Sequence, residues 1–273
     1  MIKLVALDLD DTLLDSELKI SPETARAVSA AVEQGVTVTL ATGRMYSSAR
    51  PYALELGLDV PLITYQGALV KTSRSQEVLY HSPVPLELAR EMIGYLFSRG
   101  FDVNLYMEDQ LYAQAGNRWV EEYRKIARVP CQTVPDLLAS LTTAPDKFLV
   151  IDEEPQLDRL ASVLRQMVGD KLHITKSKPF FLEFTHPEAD KAKALAHLAA
   201  RLGIAREEVM AVGDSYNDLE MLEYAGTGIA MGNARPEIKA KADYVTLGND
   251  AHGVAEAIYR FVLGDSFRPQ PAI

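Results

Sequence analysis

Met1-Ile2-Lys3-Leu4-Val5-Ala6-Leu7-Asp8-Leu9-Asp10-Asp11-Thr12-Leu13-Leu14 is an almost purely apolar run that ends abruptly in three carboxylates. Hydrophobic residues at Ile2 and Leu4 to Leu7, without polar alternation, suit a strand buried on both faces of a parallel sheet. The acids then fall at its carboxyl end, where open α/β sheets bind ligands. With a strand period of two, Asp8 and Asp10 start on one side and Leu9 on the other. Paired carboxylates in a crevice repel, and a divalent cation such as Mg2+ relieves both charges together. The same stretch also reads as a solvated acidic turn, with Thr12 and Asp15 as turn or cap residues.

Working outward, Ser21-Pro22-Glu23-Thr24 reads as a helix start with Ser21 as N-cap, and Gly35 marks the far end. Val36 to Ala41 reads as a second strand, followed by Thr42-Gly43-Arg44 and a helix toward Gly57. Strand, helix, strand, helix is the rhythm of a doubly wound parallel sheet, an α/β fold. Pro61 to Val70 reads as a third strand with an unusual Tyr65-Gln66-Gly67-Ala68 junction, and Glu77 to His81 as the return arm of a hairpin.

Near Ser82-Pro83-Val84-Pro85 the pattern changes to a mixed α+β block over 83–186, read as an inserted second domain. Its expected elements include a helix over 86–99, strands over 101–107 and 110–115, and a helix ending at Arg128. The parallel rhythm resumes at Asp190-Lys191, which opens a helix. Val209-Met210-Ala211-Val212 is a buried strand that again ends in an acid, Gly213-Asp214. The stretches 1–82 and 187–273 form the main domain, with a Pro-rich tail from Arg268 expected to fray.

The 273 residues, 48% hydrophobic and 24% charged, suit a globular protein with more than one domain. No apolar run is long enough to cross a bilayer, and Asp8 sits where a signal peptide needs an apolar core, so the expected setting is cytoplasmic. A net charge of -10 without a Lys/Arg stripe argues against nucleic acid and anionic membranes as partners. The single Cys131 excludes an internal disulfide and a cysteine-based zinc site. The five histidines show no metal-ligand spacing. A monomer or weak homo-oligomer is expected.

Four strand or helix ends carry what a phosphate-handling site needs: Asp8 with Asp10, Thr42 with Gly43, Lys191, and Asp214 with Asn217 and Asp218. An aspartate can attack phosphorus directly, and Asp8 is the candidate nucleophile. Asp10 is placed to give and take protons. Mg2+ would be held by Asp8, Asp214 and Asp10, the last through a nearby backbone carbonyl. Leu9 and Gly43 amides, the Thr42 hydroxyl, the Lys191 ammonium and the Asn217 amide are candidate phosphoryl ligands. Ser215 and Asp218 support, the latter through the metal or Lys191. Singly, Thr42 also reads as a helix N-cap and Lys191 as a solvated lysine.

Taken together, these residues resemble the haloacid dehalogenase-like hydrolase superfamily and, within it, the Cof-type sugar-phosphate phosphatases. The resemblance lies in Asp8-Leu9-Asp10-Asp11-Thr12-Leu13, Ala41-Thr42-Gly43-Arg44, Asp190-Lys191, and Gly213-Asp214-Ser215-Tyr216-Asn217-Asp218. It implies a Rossmann-like core, an inserted cap over 83–186, Mg2+ dependence and a phospho-aspartate at Asp8. It further implies Asp10 as acid/base, Thr42 and Lys191 at the phosphate and Asp214 at the metal. Asp11 stands where many relatives have Gly, Gln66 where Asn is common, and Ala192 where Gly often follows the lysine. The expected substrate is a small phosphorylated metabolite. The rivals are a phosphosugar mutase using the same aspartate and a phospho-receiver, the latter needing far fewer residues.

Overall fold

All four residues of β1 (Leu4–Leu7) are buried. A strand without a wet face needs partners on both edges and helices over both faces, and the chain supplies them. The computed structural model describes residues 1–264 except Arg128. Arg128 as a helix end, and the tail from Arg268, therefore lie outside the described residues. After β1 come helix α1 (Pro22–Glu33), β2 (Thr37–Leu40), α2 (Tyr46–Glu55), β3 (Pro61–Thr64), β4 (Leu69–Thr72) and β5 (Val78–His81). Next are α3 (Leu86–Ser98), β6 (Val103–Met107), β7 (Gln110–Gln114), α4 (Val120–Ala127), β8 (Cys131–Val134), α5 (Leu137–Ser140), β9 (Lys147–Ile151), α6 (Glu154–Val168), β10 (His173–Lys178) and β11 (Phe181–Thr185). Then follow α7 (Lys191–Leu202), β12 (Val209–Gly213), α8 (Leu219–Tyr224), β13 (Thr227–Ala230), α9 (Pro236–Lys239), β14 (Tyr244–Val245) and α10 (Gly253–Ile258).

Five parallel strands, ordered β14-β13-β12-β1-β2, make the α/β core sheet. Register decides what happens at its carboxyl edge: Leu7 lies opposite both Val212 and Leu40. The Asp8 amide donates to Val212 O at 3.0 Å, so Asp8 and Asp214 leave from neighbouring strand ends. Ser21 caps α1 as its sequence predicts, accepting from the Thr24 amide.

Pro61 to Val70 is two antiparallel strands, β3 and β4, rather than one. Tyr65 and Gln66 take left-handed backbone, with φ of 51° and 61°, and reverse the chain. Gly67, φ 101°, makes the reversal fit: a Cβ there would lie 2.4 Å from the Asp190 carbonyl oxygen. With β5 these strands form a separate three-stranded sheet, touching the core sheet where Ile63 bridges Ala41 and its carbonyl accepts from Thr42 N.

Residues between Val103 and Thr185 build a third sheet of six strands, ordered β10-β11-β9-β6-β7-β8 and antiparallel except between β7 and β8. Its two faces separate by the period of two. Val103, Leu105, Phe148, Val150, Leu182 and Phe184 pack with residues of α3 and α6. The alternate residues Tyr106, Leu149, Ile151 and Phe181 join the buried cluster that also holds Leu7 and Leu40. The short strand β8 and helix α5 were not foreseen, because Cys131-Gln132-Thr133-Val134 exposes two polar residues and offers no long apolar pattern. Among the described residues no helix is long and apolar enough to cross a membrane.

His81 on β5 bonds Asp146, just before β9, at 2.5 Å. That hydrogen bond raises the imidazole pKa above its usual 6.5 despite partial burial. A raised folded-state pKa stabilises fully below pH 6.5 and ceases to do so as pH climbs through the shifted value. The urea midpoint gap between the unmodified protein and His81→Gln should thus be wider at pH 5.5 than at pH 9; an unchanged gap would remove this linkage.

Candidate active site

Beyond Leu7 the backbone makes a wide turn over 9–13, closed by Leu13 N to Asp8 O at 3.3 Å and Leu14 N to Leu9 O at 2.9 Å. Asp11 sits in left-handed backbone with φ 60°, which an aspartate tolerates better than most residues. The turn sends its carboxylates to different partners. Asp8 reaches Lys191 Nζ at 2.6 Å. Asp10 takes the Arg44 guanidinium on both oxygens, from Nε at 2.8 Å and Nη2 at 2.7 Å. Asp11 takes Lys178 Nζ at 2.7 Å.

Lys191 opens α7, whose N-cap Asp190 accepts from the Ala192 and Lys193 amides. Its ammonium is buried and shared by Asp8 and Asp218, each at 2.6 Å. The reading of Lys191 as a solvated lysine is therefore wrong, because the apolar pattern of α7 shows which face is inside but not that the first turn points into a charged pocket. Asp218 is also fully inside and accepts from the Asp214 and Ser215 amides at 3.0 Å. Gly213 is required by that closeness, since a Cβ would lie 2.6 Å from the Asp218 side chain.

Asp214 accepts from the Thr12 hydroxyl at 2.9 Å. One carboxylate oxygen from each of Asp8, Asp214 and Asp218 falls within 4.8 Å of the others. Burial, then the Asp218 charge, pushes the pKa of both Asp8 and Asp214 upward. Lys191 loses basicity to burial but regains more from Asp218 and Asp8, so it stays charged. One ammonium facing three carboxylates leaves an excess of negative charge in a dry site, and oxygen donors so arranged fit a hard divalent cation such as Mg2+.

Asp10 lies outside that trio. Burial works to raise its pKa, and the Arg44 hydrogen bonds and charge overcome this and lower it. Arg44 also donates to Ser48 at 3.2 Å and lies over the Tyr52 ring. Thr42 is not a helix cap: the N-cap of α2 is Met45, and the Thr42 hydroxyl accepts from Arg44 N at 3.1 Å within the preceding turn. Leu9 is wholly buried. Ser215 donates through Oγ to Ser177 O at 2.9 Å. Asn217 donates to Gln66 Oε1 at 3.0 Å, and Gln66 Nε2 donates to Glu183 Oε2 at 2.9 Å. Gly43 makes room for this amide, since a Cβ there would lie 2.4 Å from Gln66 Nε2.

Asp8, Asp10, Asp11, Thr42, Gly43, Arg44, Asp214, Ser215 and Asn217 line a cleft between the core sheet and the six-stranded sheet. The latter contributes Tyr106, Lys147, Lys178, Phe181 and Glu183, and α4 contributes Tyr123. None was singled out from the sequence. The alternation in Phe181-Leu182-Glu183-Phe184, with a charge on the face opposite the helices, is the signal that could have marked Glu183.

The chain matches the family described as haloacid dehalogenase-like hydrolase over residues 5–258, and it belongs to that family. YxeH of Bacillus subtilis is 35% identical, over 96% of this chain and 99% of its own length. The 5-amino-6-(5-phospho-D-ribitylamino)uracil phosphatase YcsE of the same organism is 33% identical over 96% of both proteins. The crystal structure of a haloacid dehalogenase-like hydrolase from Bacteroides thetaiotaomicron superposes with a TM-score of 0.85 at 32% identity, covering 95% of this chain and 99% of that one.

Asp218→Ala strands the Asp214 and Ser215 amides and leaves Lys191 with Asp8 alone. Breaking such a buried pair should cost about 3–5 kcal/mol, read as a lowered ΔG in urea unfolding. A loss below about 1 kcal/mol would mean that solvent, not Asp218, solvates this ammonium.

Proposed function

We propose that this hydrolase is a Mg2+-dependent phosphatase that cleaves small phosphorylated metabolites, sugar phosphates or nucleotide- and cofactor-derived monoesters, through a phosphorylated Asp8. The observation that carries the reading is the meeting of Asp8, Asp214 and Asp218 around Lys191 at the carboxyl ends of β1 and β12. The names of the relatives support it: YcsE acts as a phosphatase on a ribityl phosphate.

Asp8 attacks phosphorus in line with the ester bond, forming an acyl phosphate as the P–O bond to the alcohol breaks. Asp10 protonates the departing oxygen, then takes a proton from the water that attacks the phosphorylated Asp8, releasing inorganic phosphate and restoring the carboxylate. In the arrangement described, Arg44 holds Asp10 ionised, the state the second step needs. The first step needs the proton on Asp10, so that contact loosens as substrate arrives. Lys191, Asn217, the Thr42 hydroxyl and the Leu9 and Gly43 amides hold the phosphoryl oxygens. Asp8 and Asp214, with a backbone carbonyl at Asp10, would hold Mg2+, which when bound would supply charge neutralisation between carboxylate and phosphate. Asp218 keeps Lys191 and the Asp214 turn in place, with Ser215 beside it.

In this reading residues 1–82 and 187–273 are the catalytic core and 83–186 a cap that excludes water and selects the alcohol. Lys147 Nζ to Gly43 O at 2.7 Å and Lys178 to Asp11 are the contacts that would hold the cap down. A cytoplasmic monomer or weak homo-oligomer fits the composition, with no nucleic acid or membrane partner.

Phosphate release from a panel of metabolite esters with Mg2+ tests this. Asp8→Asn should lower turnover on the order of 10^4-fold, and acid-quenched wild-type protein should carry phosphate that hydroxylamine removes. Excess chelator should abolish release in the unmodified protein. Equal release by both proteins would take Asp8 out of the nucleophile role.

A further inference from the structure

The hairpin between β6 and β7 turns on two residues, Glu108 and Asp109, both in left-handed backbone with φ of 53° and 55°. Two-residue hairpin turns with positive φ at both positions favour Asn-Gly or Asp-Gly, because most side chains there crowd their own backbone. Glu-Asp is a costly choice for a turn alone. The second of the pair reaches across to the core. Asp109 Oδ1 accepts from the Tyr65 hydroxyl at 2.6 Å, and the Ser47 amide donates to Oδ1 at 3.2 Å and Oδ2 at 3.1 Å. Burial, then the Asp109 charge, raises the Tyr65 pKa, so the phenol keeps the proton it donates.

Both partners of Asp109 support the stretch Thr42-Gly43-Arg44. Ser47 lies in the first turn of α2, whose N-cap Met45 makes no side-chain cap bond. The first amides of a helix have no partner within it, and Asp109 supplies from 62 positions away what an oxygen-bearing N-cap residue supplies locally. Tyr65 holds the other side: its amide donates to Arg44 O at 2.9 Å, and the next amide, of Gln66, donates to Thr42 O at 3.1 Å. One carboxylate at the tip of a hairpin of the six-stranded sheet thus braces both supports of the loop that puts Arg44 on Asp10.

Resting on the reading of Asp8 as nucleophile toward a phosphoryl group, we infer that Asp109 is a positioning residue for that reaction: it fixes the Thr42–Arg44 loop against Asp10 and the phosphoryl oxygens without itself touching substrate. Thr42, Gly43 and Arg44 line the cleft, and Asp109 stands behind them, outside its lining. What Asp109 contributes is placement, and a displacement of about 1 Å is enough to cost on the order of 100-fold in rate. The loop serves the transferred phosphoryl group and the attacking water rather than the alcohol. Its contacts strengthen as charge redistributes on the phosphoryl oxygens, so the loss falls on kcat and is shared by every ester.

The test is steady-state kinetics with Mg2+ on acetyl phosphate and p-nitrophenyl phosphate, whose leaving groups depart without a proton and differ in bulk. Asp109→Gly removes the carboxylate yet suits left-handed backbone, so the hairpin itself is spared. It should lower kcat by roughly 10- to 100-fold on both esters, with KM changed by less than about threefold. Asp109→Asn keeps an Oδ1 that accepts from both partners and should restore most of the lost kcat. Tyr65→Phe should lower kcat by a smaller factor, and adding it to Asp109→Gly should lower kcat no further, because the hydroxyl acts through Asp109. An unchanged kcat in folded Asp109→Gly, a loss confined to KM, or a loss on p-nitrophenyl phosphate alone would overturn the inference; the last two would make Asp109 only a clasp for the six-stranded sheet. Should Asp109→Gly not fold, Tyr65→Phe decides alone, and an unchanged kcat there overturns the inference. Release from neither ester by the unmodified protein would instead refute the phosphatase reading beneath it.

Discussion

A single buried ammonium, Lys191, holds the ends of two strands and one helix to a common point. It contacts Asp8 at the end of β1 and Asp218 beyond β12, and it can do so only because α7 begins where it does. Asp190 fixes that beginning as N-cap, and Gly67 lets the Tyr65–Gly67 turn press against it. The register of β1 against β12 then sets how far Asp8 stands from Asp214. Moving any one of these by a residue would turn a side chain to the opposite face. The site is thus a property of the packing of the core sheet, not of a loop.

Charge balance explains why the two sides of the cleft differ. Around Lys191 the acids outnumber the bases, a condition burial makes costly and a divalent cation relieves. Away from it, each base has an acid: Arg44 with Asp10, Lys178 with Asp11, Lys147 with Glu183. The first arrangement suits a hard divalent cation, while the second leaves no cleft-lining base without an acid among the described residues. Of these pairs only Lys178 with Asp11 bridges the core sheet and the six-stranded sheet, where the Lys147 hydrogen bond to Gly43 O is a second link.

Much of this was legible in the chain because it is local. Leu4 to Leu7 running into Asp8, and Val209 to Val212 running into Gly213-Asp214, show buried strands with acids at their ends, and those strands do pair in parallel. Less legible was whatever depends on partners distant in sequence. The bidentate grip of Arg44 on Asp10 spans 34 positions, and the single hydrogen bond from Lys191 to Asp8 spans 183. Pro61 to Val70 reads as one strand because its hydrophobic residues are continuous; the reversal at Tyr65 and Gln66 is stabilised by Gln66 N bonding Thr42 O and by contact with Asp190, neither visible locally. Lys147 and Glu183 look like ordinary solvated charges until the strand alternation is read against the helices on the other face.

The account depends on one cation sitting between Asp8 and Asp214. Crystals grown with Mn2+ in place of Mg2+, measured at the manganese absorption edge, locate that ion directly. The expected result is one anomalous peak touching carboxylate oxygens of Asp8 and Asp214, lost in Asp214→Asn. A peak that avoids Asp8, or none in this cleft at saturating Mn2+, would contradict the account.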